Sequence, residues 1–129
     1  MKSKILVVDD DANLTALVKV YLERTGLYEV LEVNLAAQAL GAARAFVPDA
    51  ILLDVFMPGK DGVTLSREIS SEPLLQRVRI MFFTAEMLQS EAAHGEILRG
   101  GMLFLAKAAD PDVLTAAVGR LLRMPQAAP

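Results

Sequence analysis

Ala50-Ile51-Leu52-Leu53-Asp54-Val55-Phe56-Met57-Pro58-Gly59-Lys60-Asp61-Gly62 is the stretch from which the other segments can be aligned. A short apolar run bounded by turn residues is the mark of a buried strand, and this one stops on a carboxylate followed by Pro-Gly and Asp-Gly punctuation. Asp54 is therefore placed at the carboxyl end of a strand. The same grammar recurs: Ile5 to Val8 ends on Asp9-Asp10, Ile80 to Phe83 on Thr84, and Met102 to Ala106 on Lys107.

Strands that alternate with helical stretches are expected to be parallel, which lines those four ends along one edge of one sheet. Open parallel sheets bind their ligands at that edge. Asp9, Asp10 and Asp54 against the single Lys107 ammonium leave the pocket net negative, so it calls for a cation. Hard oxygen ligands in a small, partly hydrated site point to Mg²⁺, which typically takes one or two protein carboxylates, waters and a phosphate oxygen.

Composition narrows the alternatives. A chain of 129 residues has room for one domain with a real core and none for a second. Hydrophobic residues make up 53% and mean hydropathy is +0.39, but much of this is alanine and no apolar run approaches a membrane span. The run Ile5 to Val8 is also too short for a signal-peptide core, and the expected location is cytoplasmic. With no cysteine and one histidine, a metal must be held by oxygen. Net charge −3, pI near 5.1 and 5% aromatic residues lack the footprint of a nucleic-acid-binding domain.

In chain order, Lys4 to Val8 is the first strand. It leads into a helix with Leu14, Leu17, Val18, Tyr21 and Leu22 on one face, closed by Gly26. A second strand over about 29–33 is followed by Asn34 as N-cap of an alanine-rich helix from Leu35 to Phe46, stopped by Pro48. After the Asp54 loop, Val63 to Ser71 forms a helix with Leu65 and Ile69 inward, and Val78 to Phe83 a fourth strand. Leu88 to Arg99 is read as a helix with Ala93, Ile97 and Leu98 inward, weakened by His94-Gly95. Gly100-Gly101 lead into the fifth strand, and Asp110-Pro111 start a helix bearing Val113, Leu114, Ala117, Val118, Leu121 and Leu122. Five strand-helix units predict a three-layer, doubly wound α/β domain.

Four motifs now stand in order: Ile5-Leu6-Val7-Val8-Asp9-Asp10-Asp11, the Asp54 to Gly62 loop, Phe83-Thr84-Ala85, and Lys107. Each alone is weak, but together at these spacings they are highly specific. Over about residues 3–123 the chain resembles a response regulator receiver domain of two-component phosphorelay systems. The resemblance implies a flavodoxin-like fold, a five-stranded parallel sheet in strand order 2-1-3-4-5 with helices on both faces. It divides the chain into a receiver domain, 1–123, and a flexible tail or start of a linker, 124–129.

The roles it implies follow residue by residue. Asp54 would be the phosphoacceptor, taking a phosphoryl group from a histidine kinase's phosphohistidine. Asp9, Asp10, the Asp54 side chain and the Phe56 backbone carbonyl would hold Mg²⁺. Thr84 and Lys107 would bind phosphoryl oxygens, Thr84 and Phe104 would act as the switch, and Phe56 and Glu86 would control dephosphorylation. Such a module is not an enzyme toward other substrates; it catalyses only its own phosphoryl transfer and dephosphorylation. Its implied partners are a sensor histidine kinase or phosphotransfer protein and a downstream effector or attached output domain. Homodimerisation would use the face of the fourth helix, fifth strand and fifth helix; direct nucleic-acid or membrane contact is not implied.

The chain departs from the family pattern at Ala108, which follows Lys107 where the family has a proline, commonly after a cis bond. A cis non-proline bond costs about 2.5 to 4 kcal/mol, so a trans bond is expected. The linker between Thr84 and Lys107 is also about one residue longer than usual. Bland roles are assigned to Asp11 as a helix cap, to Met57 and Met81 as core, and to His94 as a solvated side chain. Two other functions fit parts of the pattern. One is a haloacid dehalogenase-type phosphohydrolase using Asp9 as nucleophile; the other is a receiver-like binding module that signals without phosphorylation.

Overall fold

The computed structural model describes residues 1–85 and 95–125. In chain order its elements are β1 (Ser3–Val8), α1 (Ala12–Arg24), β2 (Tyr28–Val33), α2 (Ala36–Phe46), β3 (Ala50–Asp54) and α3 (Gly62–Ser71). A 3-10 turn (Pro73–Leu75), β4 (Arg79–Thr84), β5 (Ile97–Arg99), β6 (Met102–Ala106) and α4 (Pro111–Arg123) follow. The sheet order is β2-β1-β3-β4-β6-β5.

The five expected parallel strands are present in the expected order, since β1 pairs in parallel with β2 and β3, β3 with β4, and β4 with β6. Their near-continuous apolar sequences are explained by burial on both faces. Alternate side chains serve opposite layers: Ile5, Val7, Leu52, Met81 and Leu105 pack against Val18, Leu22, Leu114, Val118 and Leu121 of α1 and α4. Leu6, Val8, Ile51, Leu53 and Phe82 pack against Ala39, Ala43, Leu65 and Ile69 of α2 and α3. The alanine content is thus structural, because Ala36, Ala39 and Ala43 form the buried stripe along which α2 approaches the sheet.

The sheet has a sixth strand that the sequence reading placed in a helix over Leu88 to Arg99. Ile97, Leu98 and Arg99 pair antiparallel with Phe104, Leu103 and Met102. Gly100 and Gly101, with φ of 58° and 80°, form the reversal between them. Two consecutive left-handed glycines suit the two-residue turns that join hairpin strands, so the glycine pair both ends any helix and creates an edge strand. Leu98, expected inward, is 65% exposed as a result. Of the rest of that expected helix, positions 88–94, with Ala93 and His94, lie outside the described residues, as do positions 126–129 of the tail.

Other local expectations need correction. Leu17 lies on the outer side of α1, and the inward stripe is Thr15, Val18 and Leu22. Asn34 does not cap α2; Leu35 holds that position and makes no capping bond with its side chain. Asp110 precedes α4 as expected, with Pro111 in the first turn, but its side chain makes no capping bond either. Asp11 does cap α1, accepting from the backbone N–H groups of Asn13 and Leu14 at 3.0 and 3.2 Å. The Lys107–Ala108 bond is trans, and no cis peptide bond occurs among the described residues.

Val47 closes α2 in the left-handed region, with φ 48° and ψ 68°. That conformation costs an L-residue about 1 to 2 kcal/mol and is least tolerable for a β-branched side chain. Val47 is largely exposed and gains little from packing. Val47→Asn should therefore stabilise the fold by about 1 kcal/mol, raising the melting temperature by about 4 °C in a thermal denaturation experiment.

Candidate functional site

The strands β1, β3, β4 and β6 each end by delivering a polar group to the same edge. Asp54 is the last residue of β3 and is only 3% exposed, while Asp9, immediately after β1, is fully buried. The Asp9 N–H donates to the Val33 carbonyl at 3.1 Å, and Asp9 Oδ1 accepts from the Asp11 N–H at 2.9 Å. Across the pocket the Lys107 N–H donates to the Thr84 carbonyl at 2.8 Å, which brings the ends of β4 and β6 level. Thr84 is buried at the same edge.

The Lys107 ammonium lies 2.8 Å from Asp9 Oδ2 and 3.0 Å from Asp54 Oδ1. Burial opposes its charge, but the pull of the two carboxylates prevails and holds Lys107 above the ordinary lysine range. Asp54 moves upward too: burial pushes its carboxyl up and the nearby Asp9 charge adds to this, and both outweigh Lys107 and the Phe56 N–H. These directions are consistent, because the ammonium gains from two carboxylates whereas each carboxylate must share it.

The loop after Asp54 is shaped by a glycine. Gly62 N–H donates to the Val55 carbonyl at 2.8 Å, and a Cβ on Gly62 would lie 2.1 Å from the Asp54 carbonyl oxygen. No other residue allows the start of α3 to approach the end of β3 so closely. Asp61 anchors the same helix, accepting from the Thr64 N–H at 2.8 Å; that bond holds its carboxyl below the usual aspartate range. Phe56, between these anchors, is 63% exposed, and its N–H is 3.4 Å from Asp54 Oδ1.

Of the residues singled out from the sequence, Asp9, Asp10, Asp54, Thr84 and Lys107 gather at this edge. Phe104 lies on β6, half-buried, and its ring stacks on Phe82 with centroids 5.4 Å apart. Glu86 lies outside the described residues. Sequence reading missed Thr15 and the role of Asn34, whose Nδ2 donates both to Thr15 Oγ1 and to the Asp9 carbonyl. A lone threonine on the apolar stripe of α1 was the available signal.

Carboxylate oxygens of Asp9, Asp10 and Asp54 all lie within 4.8 Å of one another, so the cluster can hold a metal ion. Asp9 Oδ2 supports this fit: it is buried with no aligned hydrogen bond and meets only the Lys107 charge. An all-oxygen donor set with a free, buried lone pair suits a hard cation.

The chain matches the family model for the response regulator receiver domain over residues 5–119. It belongs to that family. It is 37% identical over 125 residues to the response regulator PleD of Caulobacter vibrioides, covering 95% of this chain and 27% of PleD. Against the alkaline phosphatase synthesis transcriptional regulatory protein PhoP of Bacillus subtilis, identity is 32% over 123 residues, with 95% of this chain and 50% of PhoP covered. The chain thus spans half or less of the length of these two curated relatives. Among solved structures, the BeF3-activated receiver domain of RstA from Klebsiella pneumoniae superposes with a TM-score of 0.75 at 26% identity, covering 95% of this chain and all of that one. The family does not favour the dehalogenase-type reading, in which Asp54 and its loop would have no task.

The upward shift of Asp54 has a measurable consequence. Because its folded pKa exceeds the unfolded value, its ionised form opposes folding at neutral pH, and this opposition fades as pH falls through the raised pKa. Asp54→Asn should therefore melt higher than wild type at pH 7 without added metal, by a few degrees, with the gap narrowing on acidification. A lower melting temperature for the asparagine variant would mean that the Lys107 ion pair outweighs the burial.

Proposed function

We propose that this receiver domain is a phospho-accepting signalling module of a two-component system, with Asp54 as the phosphoacceptor. The observation that carries the reading is the Asp9, Asp10 and Asp54 cluster with Lys107 set between two of its members. Phosphoryl transfer needs a positioned nucleophile and charge compensation more than covalent machinery. That the similar RstA receiver domain takes a BeF3-activated form supports this reading.

In this reading one Asp54 carboxylate oxygen attacks the phosphorus of a phosphohistidine. The new O–P bond forms as the N–P bond breaks, and the leaving imidazole nitrogen keeps the electron pair and takes a proton from solvent. Asp9, Asp10, Asp54 and the Phe56 carbonyl would hold Mg²⁺, which would offset negative charge on the phosphoryl oxygens. Lys107 presents its ammonium to another oxygen, released from Asp54 as that carboxylate becomes an acyl phosphate. The Thr84 hydroxyl donates to a third, and its inward movement frees Phe104 to leave its stack on Phe82. Met102–Ala106 and α4 then present a changed face to an effector, an output domain or a second copy. The donor is a sensor histidine kinase or phosphotransfer protein, and the setting is cytoplasmic.

Incubation with acetyl phosphate and Mg²⁺, followed by mass spectrometry, tests this assignment. Wild type should gain one phosphoryl group on the Asp54 peptide, and Asp54→Asn and Asp10→Ala should gain none. A phosphoryl group found on Asp9 would instead restore the hydrolase reading.

In this reading the lifetime of the product depends on the Phe56 ring, which is exposed; it offers no hydrogen bond to a hydrolytic water and would shield one approach to the phosphorus. Phe56→Asn should lose phosphate several-fold faster than wild type. An equal or slower loss, followed by the decay of the phosphorylated species, would refute shielding by the ring.

A further inference from the structure

Both backbone polar groups of Asp9 are held by two consecutive residues at the exit of β2. The Asp9 N–H donates to the Val33 carbonyl at 3.1 Å, and the Asp9 carbonyl accepts from Asn34 Nδ2 at 2.8 Å. A carbonyl only accepts, so chemistry alone requires the amide nitrogen of Asn34, and not its oxygen, to face Asp9. The second hydrogen of that nitrogen is directed to Thr15 Oγ1 at 2.9 Å. Thr15 is fully buried, and its hydroxyl donates onward to Glu32 Oε1 at 2.8 Å. Donors and acceptors therefore run in one direction, from Asn34 through Thr15 to a carboxylate, with Asn34 itself half-buried.

The carbonyl gripped by Asn34 belongs to the peptide that joins Asp9 to Asp10. Fixing that peptide plane fixes the direction in which Asp10 leaves the backbone, and Asp10 is the exposed member of the metal-binding cluster. Asp9 has further anchors in the Asp11 N–H and Lys107, but Asp10 follows β1 and precedes α1, in neither element. We propose that Asn34 is a positioning residue for the acidic pocket: through the Asp9 carbonyl it sets the orientation of Asp10 toward the cation, and the Thr15–Glu32 pair holds Asn34 in place. The position cannot be filled by any side chain that merely fits, since it needs two donors on one atom. This inference rests on Mg²⁺ being the ligand of the cluster, as proposed above.

Isothermal titration of the full chain with Mg²⁺, without any phosphoryl donor, tests it alongside thermal denaturation. Asn34→Leu keeps the side chain's size and removes both donors, and it should raise the Mg²⁺ dissociation constant about tenfold, the scale typical of groups that orient metal ligands. Thr15→Val should shift it in the same direction by less. Arg79→Ala removes a bond to the Met124 carbonyl remote from the pocket and serves as the control, with reduced stability and unchanged Mg²⁺ affinity. If Asn34→Leu fails to fold, Asn34→Ala is read in its place. Wild-type affinity in the Asn34 variants, whatever their melting temperature, overturns the positioning role and leaves the Mg²⁺ reading standing. Absence of Mg²⁺ binding by wild type overturns that reading, and the proposal falls with it.

Discussion

Three carboxylates share one ammonium at the carboxyl edge of the sheet, and this imbalance governs the site. Burial makes the charges expensive, since neither Asp9 nor Asp54 has access to much water. Lys107 bridges two of them but cannot neutralise the third, so the pocket holds attraction in reserve for a cation. A site that was fully compensated in isolation would have little left to offer a ligand. Burial first and the Asp9 charge second push the Asp54 carboxyl upward, and Lys107 does not fully offset them.

The parallel sheet is what makes such an arrangement possible. Every parallel strand points its carboxyl end the same way, so Asp9, Asp54, Thr84 and Lys107 converge although they are far apart in sequence. Fine adjustment comes from backbone contacts: Gly62 against the Asp54 carbonyl, Lys107 N–H to Thr84, and Asn34 on Asp9. The apolar layers on both faces supply the rigidity that keeps these short distances from relaxing.

The parallel strands and the gathered residues were legible in the sequence because short apolar runs ending on a polar residue have few other structural meanings. The edge strand was not read, although Gly100-Gly101 between two apolar runs is a hairpin signal; the apolar spacing of Ile97 and Leu98 was taken as helical instead. Two adjacent apolar residues are too few to distinguish the two periods. Asn34 was misread for a different reason. An asparagine just before a helix is most often a cap by local statistics, and only the tertiary fold brings Asp9 and Thr15 within its reach. Local pattern thus located the elements, and what it missed were bonds between residues distant in the chain.

The order of the strands along the chain also bears on how the molecule assembles. β1 is central in the early sheet, flanked by β2 and β3, so the two carboxylates Asp9 and Asp54 can be brought side by side by the first half of the chain alone. Lys107 follows β6, which pairs with β4 and comes later in the chain than every other parallel strand. During synthesis at the ribosome, the acidic edge is therefore complete before its own counterion exists. Until β6 pairs with β4, only ions from solution can quiet that repulsion, so the docking of this strand is the capture of a charge as much as the burial of apolar surface.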